Sequence, residues 1–213
     1  MPAPLPFPET STWPAADRRL PRYLSQEEVG RFLAAVDTPR DRALFSLMYL
    51  YGLRVGEVSL LQIQDVDLVR HRLVVRRLKG GVWTERPLFS RVEELLRAYL
   101  TADQPHGPAL FAGQAGPLRK RQIQFLFGRY RGKAGLSPLY GCHSLRHSIA
   151  THLLDAELAR EFVQDHLGHR DIRSTSIYAR ITDRHREAVF QRLEESPWIV
   201  RPSWPAAIGS LGS

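Results

Sequence analysis

The chain has 213 residues, a length that suits one globular domain with or without tails. Its hydrophobic content of 43% is enough for a core. No stretch reaches the roughly eighteen apolar residues that a membrane span needs, and the N-terminus lacks the apolar centre of a signal peptide. The single cysteine, Cys142, excludes an internal disulfide and a cysteine-based zinc site. A cytoplasmic protein is the default expectation.

The charge balance favours an acidic partner. Lysine and arginine total 30 residues against 22 acidic ones, and the sequence pI is about 10.1. Only three of these basic residues are lysines, namely Lys79, Lys120 and Lys133. A basic domain of this kind favours nucleic acid as its partner, with a solvated basic face as the alternative.

The first half of the chain predicts helices followed by a hairpin. Residues 1–21 hold six of the fifteen prolines and are assigned to a flexible tail. Ser25 and Glu28 form a capping box before an amphipathic helix, and "PRDRALFSLMYLYG" predicts a buried helix ending at Gly52. A short helix in "LRVGEVSLLQ" follows. "HRLVVRR" and "VWTERPLF" predict two strands joined by the turn "LKGG".

The second half predicts helices almost throughout. "SRVEELLRAYLTA" is helical, with Ser90 as its expected cap, and "PLRKRQIQFLFGRYRGKAG" is a basic amphipathic helix ending near Gly135. Three helices are expected between His143 and Tyr178, and "TDRHREAVFQRLEE" forms the last one. The fold class is therefore mainly α with a small antiparallel β-sheet. The folded domain is assigned to residues 22–196 and a C-terminal tail to residues 197–213.

The stretch "CHSLRHSIATHLL" places three histidines beside an arginine. His143 and His147 have the i, i+4 spacing of zinc-protease helices, but the glutamate of that motif is replaced by Ser144. Arg146 in the same turn would repel a divalent cation. We therefore expect no metal, and we expect His147 and His152 to pack within the fold.

Several other residues suit a phosphodiester. "YGLRVGEV" supplies Arg54 and Glu57, "RLKGGV" supplies Lys79, and "HSLRH" supplies His143 and Arg146. "HLGHRDIRSTSIYAR" supplies His169 and, nine residues later, Tyr178. Each of these signals is weak alone, because single basic or aromatic residues usually serve solvation or packing.

In this order and spacing, the residues resemble the signature of the tyrosine recombinases, the phage-integrase-type site-specific DNA recombinases. That signature combines G-L-R-x-x-E, a hairpin lysine, H-x-L-R-H, L-G-H and a tyrosine. The resemblance covers roughly residues 24–193 and implies the tyrosine recombinase catalytic-domain fold, with residues 22–196 as the catalytic domain. It further implies that DNA strands are cleaved and rejoined through a 3′-phosphotyrosyl intermediate.

The resemblance also implies roles for single residues. Tyr178 would be the nucleophile, Lys79 the general acid and His143 an acid/base group. Arg54, Arg146 and His169 would bind the phosphate. Glu57 would orient Arg54 or His143, or would only solvate its helix. Further DNA contacts are expected at Arg86, Lys120 and Arg121.

The expected chemistry explains why fixed cations are needed. Tyrosine has a pKa of about 10, so only about one molecule in a thousand is phenolate at neutral pH, a deficit of roughly 4 kcal/mol. Cations beside the phosphate offset this deficit and stabilise the transition state. Arginine offers planar donors that stay charged, whereas lysine can give up a proton. No cofactor is expected.

The resemblance implies double-stranded DNA with specific recombination sites as the partner and a DNA-associated location in the cytoplasm. A monomer in solution, a dimer on each site and a tetramer at synapsis are expected, with accessory DNA-bending proteins as possible helpers and no membrane. Because only 21 residues precede the predicted catalytic domain, we expect the family's N-terminal helical domain to be absent, as in a naturally short member or a truncated form. Two alternatives stay open: a type IB topoisomerase-like enzyme and a catalytically dormant DNA-binding regulator.

Overall fold

The computed structural model describes residues 22–76, 83–105, 107–113, 116–168 and 190–195. The tails assigned to residues 1–21 and 197–213 lie outside this part, as does the predicted hairpin turn. Helices α1 (Gln26–Ala34), α2 (Pro39–Leu50) and the short α3 (Val55–Val58) come first. The predicted capping box starts α1, where the Ser25 hydroxyl accepts a hydrogen bond from the Glu28 amide at 3.1 Å.

A three-stranded antiparallel sheet follows α3. It contains β1 (Val66–Asp67), β2 (Arg72–Arg76) and β3 (Trp83–Pro87) in the order β1-β2-β3. The register pairs Arg76 with Trp83 at the end nearest the predicted hairpin turn. The register thus places the ends of β2 and β3 side by side, and Lys79 lies in sequence between these two ends.

The remaining helices surround a single core. They are α4 (Ser90–Asp103), α5 (Lys120–Lys133), α6 (Cys142–Asp155) and α7 (Arg160–Leu167), with a two-stranded hairpin, β4 (Ala112–Gly113) and β5 (Gly116–Pro117), before α5. Helix α2 is buried on all sides over residues 41–50 and packs on α4 and α6. None of the described helices is long and apolar enough to cross a membrane. The fold is the predicted mainly α architecture with a small antiparallel sheet.

The predicted role of Ser90 as a helix cap is wrong. Helix α4 begins at Ser90, its N-cap position is Phe89, and no side chain caps it from that position. The Ser90 amide and hydroxyl instead donate hydrogen bonds to the Glu194 carboxylate at 2.7 and 2.9 Å. The Glu194 carboxylate thus accepts the hydrogen bond of an amide at the start of α4.

Candidate active site

Arg146 joins three of the predicted motif segments. It lies in the second turn of α6, is 4% exposed, and its guanidinium donates to the carbonyl oxygens of Gly52 and Leu167. The bond from Nη2 to the Leu167 oxygen measures 2.7 Å. Gly52 stands two residues before Arg54, and Leu167 stands two residues before His169. The guanidinium therefore holds the backbones of both flanking motifs against its own helix.

Gly52 is required by this close approach. Its φ of +58° lies in the left-handed region, and a Cβ atom there would come within 2.3 Å of Leu167 Cδ2. Glycine alone adopts this conformation without steric cost and leaves room for α7. The glycine of the G-L-R motif is therefore a packing requirement as well as a helix end.

Arg54 is held by Glu57 at the start of α3. The Glu57 carboxylate accepts hydrogen bonds from the Arg54 amide and from Arg54 Nη1, both at 2.9 Å. Glu57 has a side-chain exposure of 0% and Arg54 of 28%, so the carboxylate lies beneath a guanidinium that reaches solvent. The buried Glu57 carboxylate thus pairs with Arg54, as one of its expected roles requires, and does not solvate its helix.

His143 lies in the first turn of α6 and is exposed to solvent. Its ring centroid is 6.4 Å from that of His147, which is half-buried on the next turn. Burial, together with electrostatic interactions with His143 and Arg146, lowers the pKa of His147. His152 is 3% exposed and its Nδ1 is 2.8 Å from the Tyr49 hydroxyl. His152 is thus the packed residue that the sequence predicted.

The predicted DNA contact at Arg86 does not fit the structure, because this residue does not lie on the surface. Its side chain is 1% exposed and is held by Asp165, with Nη1 at 2.6 Å from Oδ2 and Nη2 at 2.6 Å from the main-chain oxygen. A buried guanidinium paired in this way cannot reach a phosphate without breaking the pair. Lys120 and Arg121, in contrast, are exposed at the N-terminal end of α5.

Three predicted site residues, Lys79, His169 and Tyr178, lie outside the described residues. The structure pairs Glu57 with Arg54, links Arg146 to the turn before Arg54 through Gly52, and places His143 one helical turn before Arg146. Arg76 ends β2 three residues before Lys79, and Gly168, with a φ of +64°, directly precedes His169.

Comparisons with known proteins agree on the family. Residues 22–185 match the Phage integrase family. The chain belongs to the phage integrase family. It is 33% identical over 181 residues to tyrosine recombinase XerA of Pyrococcus horikoshii, a match that covers 83% of this chain and 63% of that protein. It is also 36% identical over 187 residues to tyrosine recombinase XerC of Haemophilus ducreyi, covering 83% and 60%.

Solved structures give the same assignment. The integrase from mycobacterium phage Brujita matches with a TM-score of 0.67 and 31% identity, over 82% of this chain and 58% of that one. A XerA recombinase crystal structure matches with a TM-score of 0.66 and 28% identity, over 82% and 64%. The chain thus contains a tyrosine recombinase catalytic domain and spans about three fifths of its curated relatives, 63% and 60% in the two cases above.

This phage integrase family member has no metal-binding cluster in the part of the chain that the structure describes. Burial raises the pKa of the Cys142 thiol to about 12, which disfavours the thiolate that a metal would need. A groove of about 700 Å³ is lined by residues that include three glutamates, Arg97 and Phe190, and by none of Arg54, His143 and Arg146. Its acidic lining does not suit a phosphate.

Sequence reasoning missed three supports of this integrase domain. Asp165 holds Arg86, and His166 bonds the Leu50 carbonyl through Nε2 at 2.7 Å. Arg76 stacks over the Trp83 ring at 4.3 Å and bonds the buried Asp65 carboxylate at 2.9 Å. The two strands of the predicted hairpin contain Arg76 and Trp83, but the prediction did not pair them.

Proposed function

We propose that this protein is a site-specific DNA recombinase that cleaves and rejoins DNA strands through a covalent 3′-phosphotyrosyl intermediate. The Tyr178 oxygen would form a bond to phosphorus while the bond to the 5′-oxygen breaks. The phenolic proton would pass to His143, and the leaving 5′-oxygen would take a proton from Lys79. A second 5′-hydroxyl would reverse these steps on a new strand, without a metal or a cofactor.

One observation carries the proposal: Arg146 bonds the backbones of the two segments that lead to Arg54 and His169. Phosphoryl transfer of this kind depends on placing cations around the nonbridging oxygens before the reaction begins. Arg146 ties the turn before α3 and the end of α7 to α6, so the described elements that lead to Arg54 and His169 are held together. Glu57 fixes the direction of the Arg54 guanidinium in the same way.

The other six tyrosines are poorly suited to attack a phosphate. Four of them, Tyr49, Tyr51, Tyr99 and Tyr130, are buried. Tyr140 donates to the Glu28 carboxylate at 3.2 Å, and burial raises its pKa, which disfavours the phenolate. Tyr23 packs edge-on against His152, about 13 Å along α6 from His143 at 1.5 Å per residue. Tyr178 remains the candidate whose sequence position fits.

The proposed partner is double-stranded DNA that carries specific recombination sites, so the protein would be associated with DNA. The chain resembles the XerH site-specific recombinase bound to palindromic difH substrate, with 26% identity and a TM-score of 0.64 over 83% of this chain. A palindromic site presents two equivalent halves, so two protomers per site follow from the symmetry. The net charge of +8 supports attraction to phosphates.

A nicked duplex that traps the covalent intermediate tests the proposal. The duplex carries candidate sites from the DNA that flanks the coding sequence, and the products are separated on a denaturing gel. The wild-type protein should form an adduct, and Tyr178→Phe should bind the same DNA without forming one. Tyr140→Phe is the matched control and should react as the wild type does.

Two outcomes would contradict the proposal. An adduct that persists in Tyr178→Phe, or that maps to Tyr140 by mass spectrometry, would refute the nucleophile. Relaxation of any supercoiled plasmid without joining of paired sites would instead favour the topoisomerase alternative.

A further inference from the structure

A buried arginine occupies the inner face of the small sheet. Arg86 on β3 pairs in register with Leu73 on β2, and Leu73 and Val75 are the buried residues of that strand. An apolar side chain would suit this position, yet a guanidinium with 1% exposure fills it. Removing a guanidinium from water is strongly unfavourable unless its charge and its donors are matched.

Asp165 in the last turn of α7 supplies the opposite charge and two of the acceptors. Arg86 Nη1 donates to Oδ2 and Nη2 donates to the main-chain oxygen of the same residue, both at 2.6 Å. That main-chain oxygen also accepts the Gly168 amide at 2.9 Å, where α7 ends. A cation at this end of a helix is further stabilised by the helix dipole. Arg86 therefore caps α7 from the sheet.

The pair connects two elements that lead to proposed catalytic residues. Strand β3 begins at Trp83, four residues after Lys79, and α7 ends at Leu167, two residues before His169. Arg146 binds the same helix end through the Leu167 oxygen. Two arginines, one from β3 and one from α6, thus bind the last turn of α7.

We infer that Arg86 and Asp165 form a positioning pair, which fixes the strand leading from Lys79 against the helix leading to His169. The inference rests on the proposed function, because it concerns how the general acid meets the phosphate. Two directional bonds from one guanidinium specify a single register between β3 and α7, whereas apolar side chains would allow small shifts. A shift of about 1 Å at a reacting group can slow a reaction on the order of a hundredfold.

Stability alone does not require this pair. Replacing a buried ion pair by apolar residues of similar volume is often neutral or stabilising, whereas removal of one partner leaves an unmatched charge. The informative variant is therefore the double replacement Arg86→Met with Asp165→Leu, which keeps the packing volume and removes both directional bonds. Asp165→Asn, which retains the main-chain acceptor and the shape, serves as a second and milder variant.

The test compares two DNA substrates. One is ordinary nicked DNA, and the other has sulfur in place of the bridging 5′-oxygen, a leaving group that needs little protonation. Both variants should cleave ordinary DNA at least about tenfold more slowly than the wild type, since an offset of the general acid weakens proton transfer. On the sulfur substrate they should cleave within about twofold of the wild type, because no acid is needed there.

Controls separate positioning from loss of folding. Arg97→Met removes an exposed pair with Glu93, at 2.7 Å on α4, and should leave both rates unchanged. Equal slowing on both substrates, or wild-type rates on both, overturns the inference. Amide hydrogen exchange gives a readout without activity: residues 163–168 should lose protection in the double variant but not in Arg97→Met. Unchanged protection of these residues in the double variant overturns the inference, whether or not the wild type forms an adduct. Failure of the wild type to form an adduct would by itself refute only the proposed function.

Discussion

Replacing Gly52 by alanine should destabilise the domain through two separate effects. An L-residue with the observed φ of +58° lies in the left-handed region, which costs about 1–2 kcal/mol. The new Cβ would also meet Leu167 Cδ2 at 2.3 Å, and overpacking of this kind costs about 1–3 kcal/mol. Together these effects give a loss of roughly 2–5 kcal/mol in the free energy of unfolding.

Urea and thermal unfolding of the purified variant measure this loss. For a domain of this size, about 3 kcal/mol corresponds to a fall in Tm on the order of 10 °C. Gly128→Ala is the matched control, because Gly128 lies within α5 and a Cβ there meets nothing within 4 Å. That substitution should instead raise stability by about 0.5–1 kcal/mol, through the ordinary preference of helices for alanine.

The prediction depends on the opposite changes in stability expected for Gly52→Ala and Gly128→Ala. If Gly52→Ala unfolds at the wild-type temperature, the close approach of α7 to this turn is not maintained in solution. A fall in Tm of similar size in Gly128→Ala would show that the space available for the new Cβ atom does not control the loss of stability. Either result would refute the packing argument for the G-L-R motif.

Three further predictions use other parts of the site. Arg146→Lys should lower both DNA cleavage and Tm, because a lysine cannot keep the hydrogen bonds to the two carbonyl oxygens. Arg54→Lys should lower cleavage with little effect on Tm. Adduct gels measure the cleavage and thermal unfolding measures the Tm. Burial lowers the pKa of His152, so the unfolded chain binds more protons and stability should fall as the pH drops below about 6.5. His152→Gln should flatten that dependence in urea titrations at several pH values. Deleting residues 183–213 removes Glu194, which bonds the start of α4, and the buried Phe190, so it should lower Tm. It should also weaken assembly on paired DNA sites more than binding to a single site, as measured by gel shift, and equal assembly would show that these residues act only within their own domain.

Local signals were read correctly from the sequence. The Ser25–Glu28 capping box, the pairing of the strands around Lys79 and the end of α2 near Gly52 all depend on residues within a few positions of one another. Capping and turn formation are set by short-range hydrogen bonds, so sequence patterns contain most of the information. The weak β4–β5 hairpin was missed because two-residue strands leave no periodic pattern.

Long-range partners were not readable. Ser90 looked like a cap, but Glu194, 104 positions away, satisfies the helix start. Arg86 looked like a DNA contact, but Asp165, 79 positions away, buries it. A charged residue in a strand is usually exposed, and only the fold shows which one is matched by a distant opposite charge. The errors therefore fell where tertiary pairing overrides a local preference.

The geometry at Arg146 explains why the family motifs include residues that perform no chemistry. Its guanidinium binds main-chain oxygens, so no side-chain replacement at Gly52 or Leu167 removes an acceptor. What a replacement can change is the distance between the two backbones, which Gly52 keeps short. The glycine and leucine positions thus set the spacing of the turn, α6 and α7. The packing that folds this region therefore also sets the positions of Arg54 and Arg146, so a variant that widens the spacing should lose stability and DNA cleavage together.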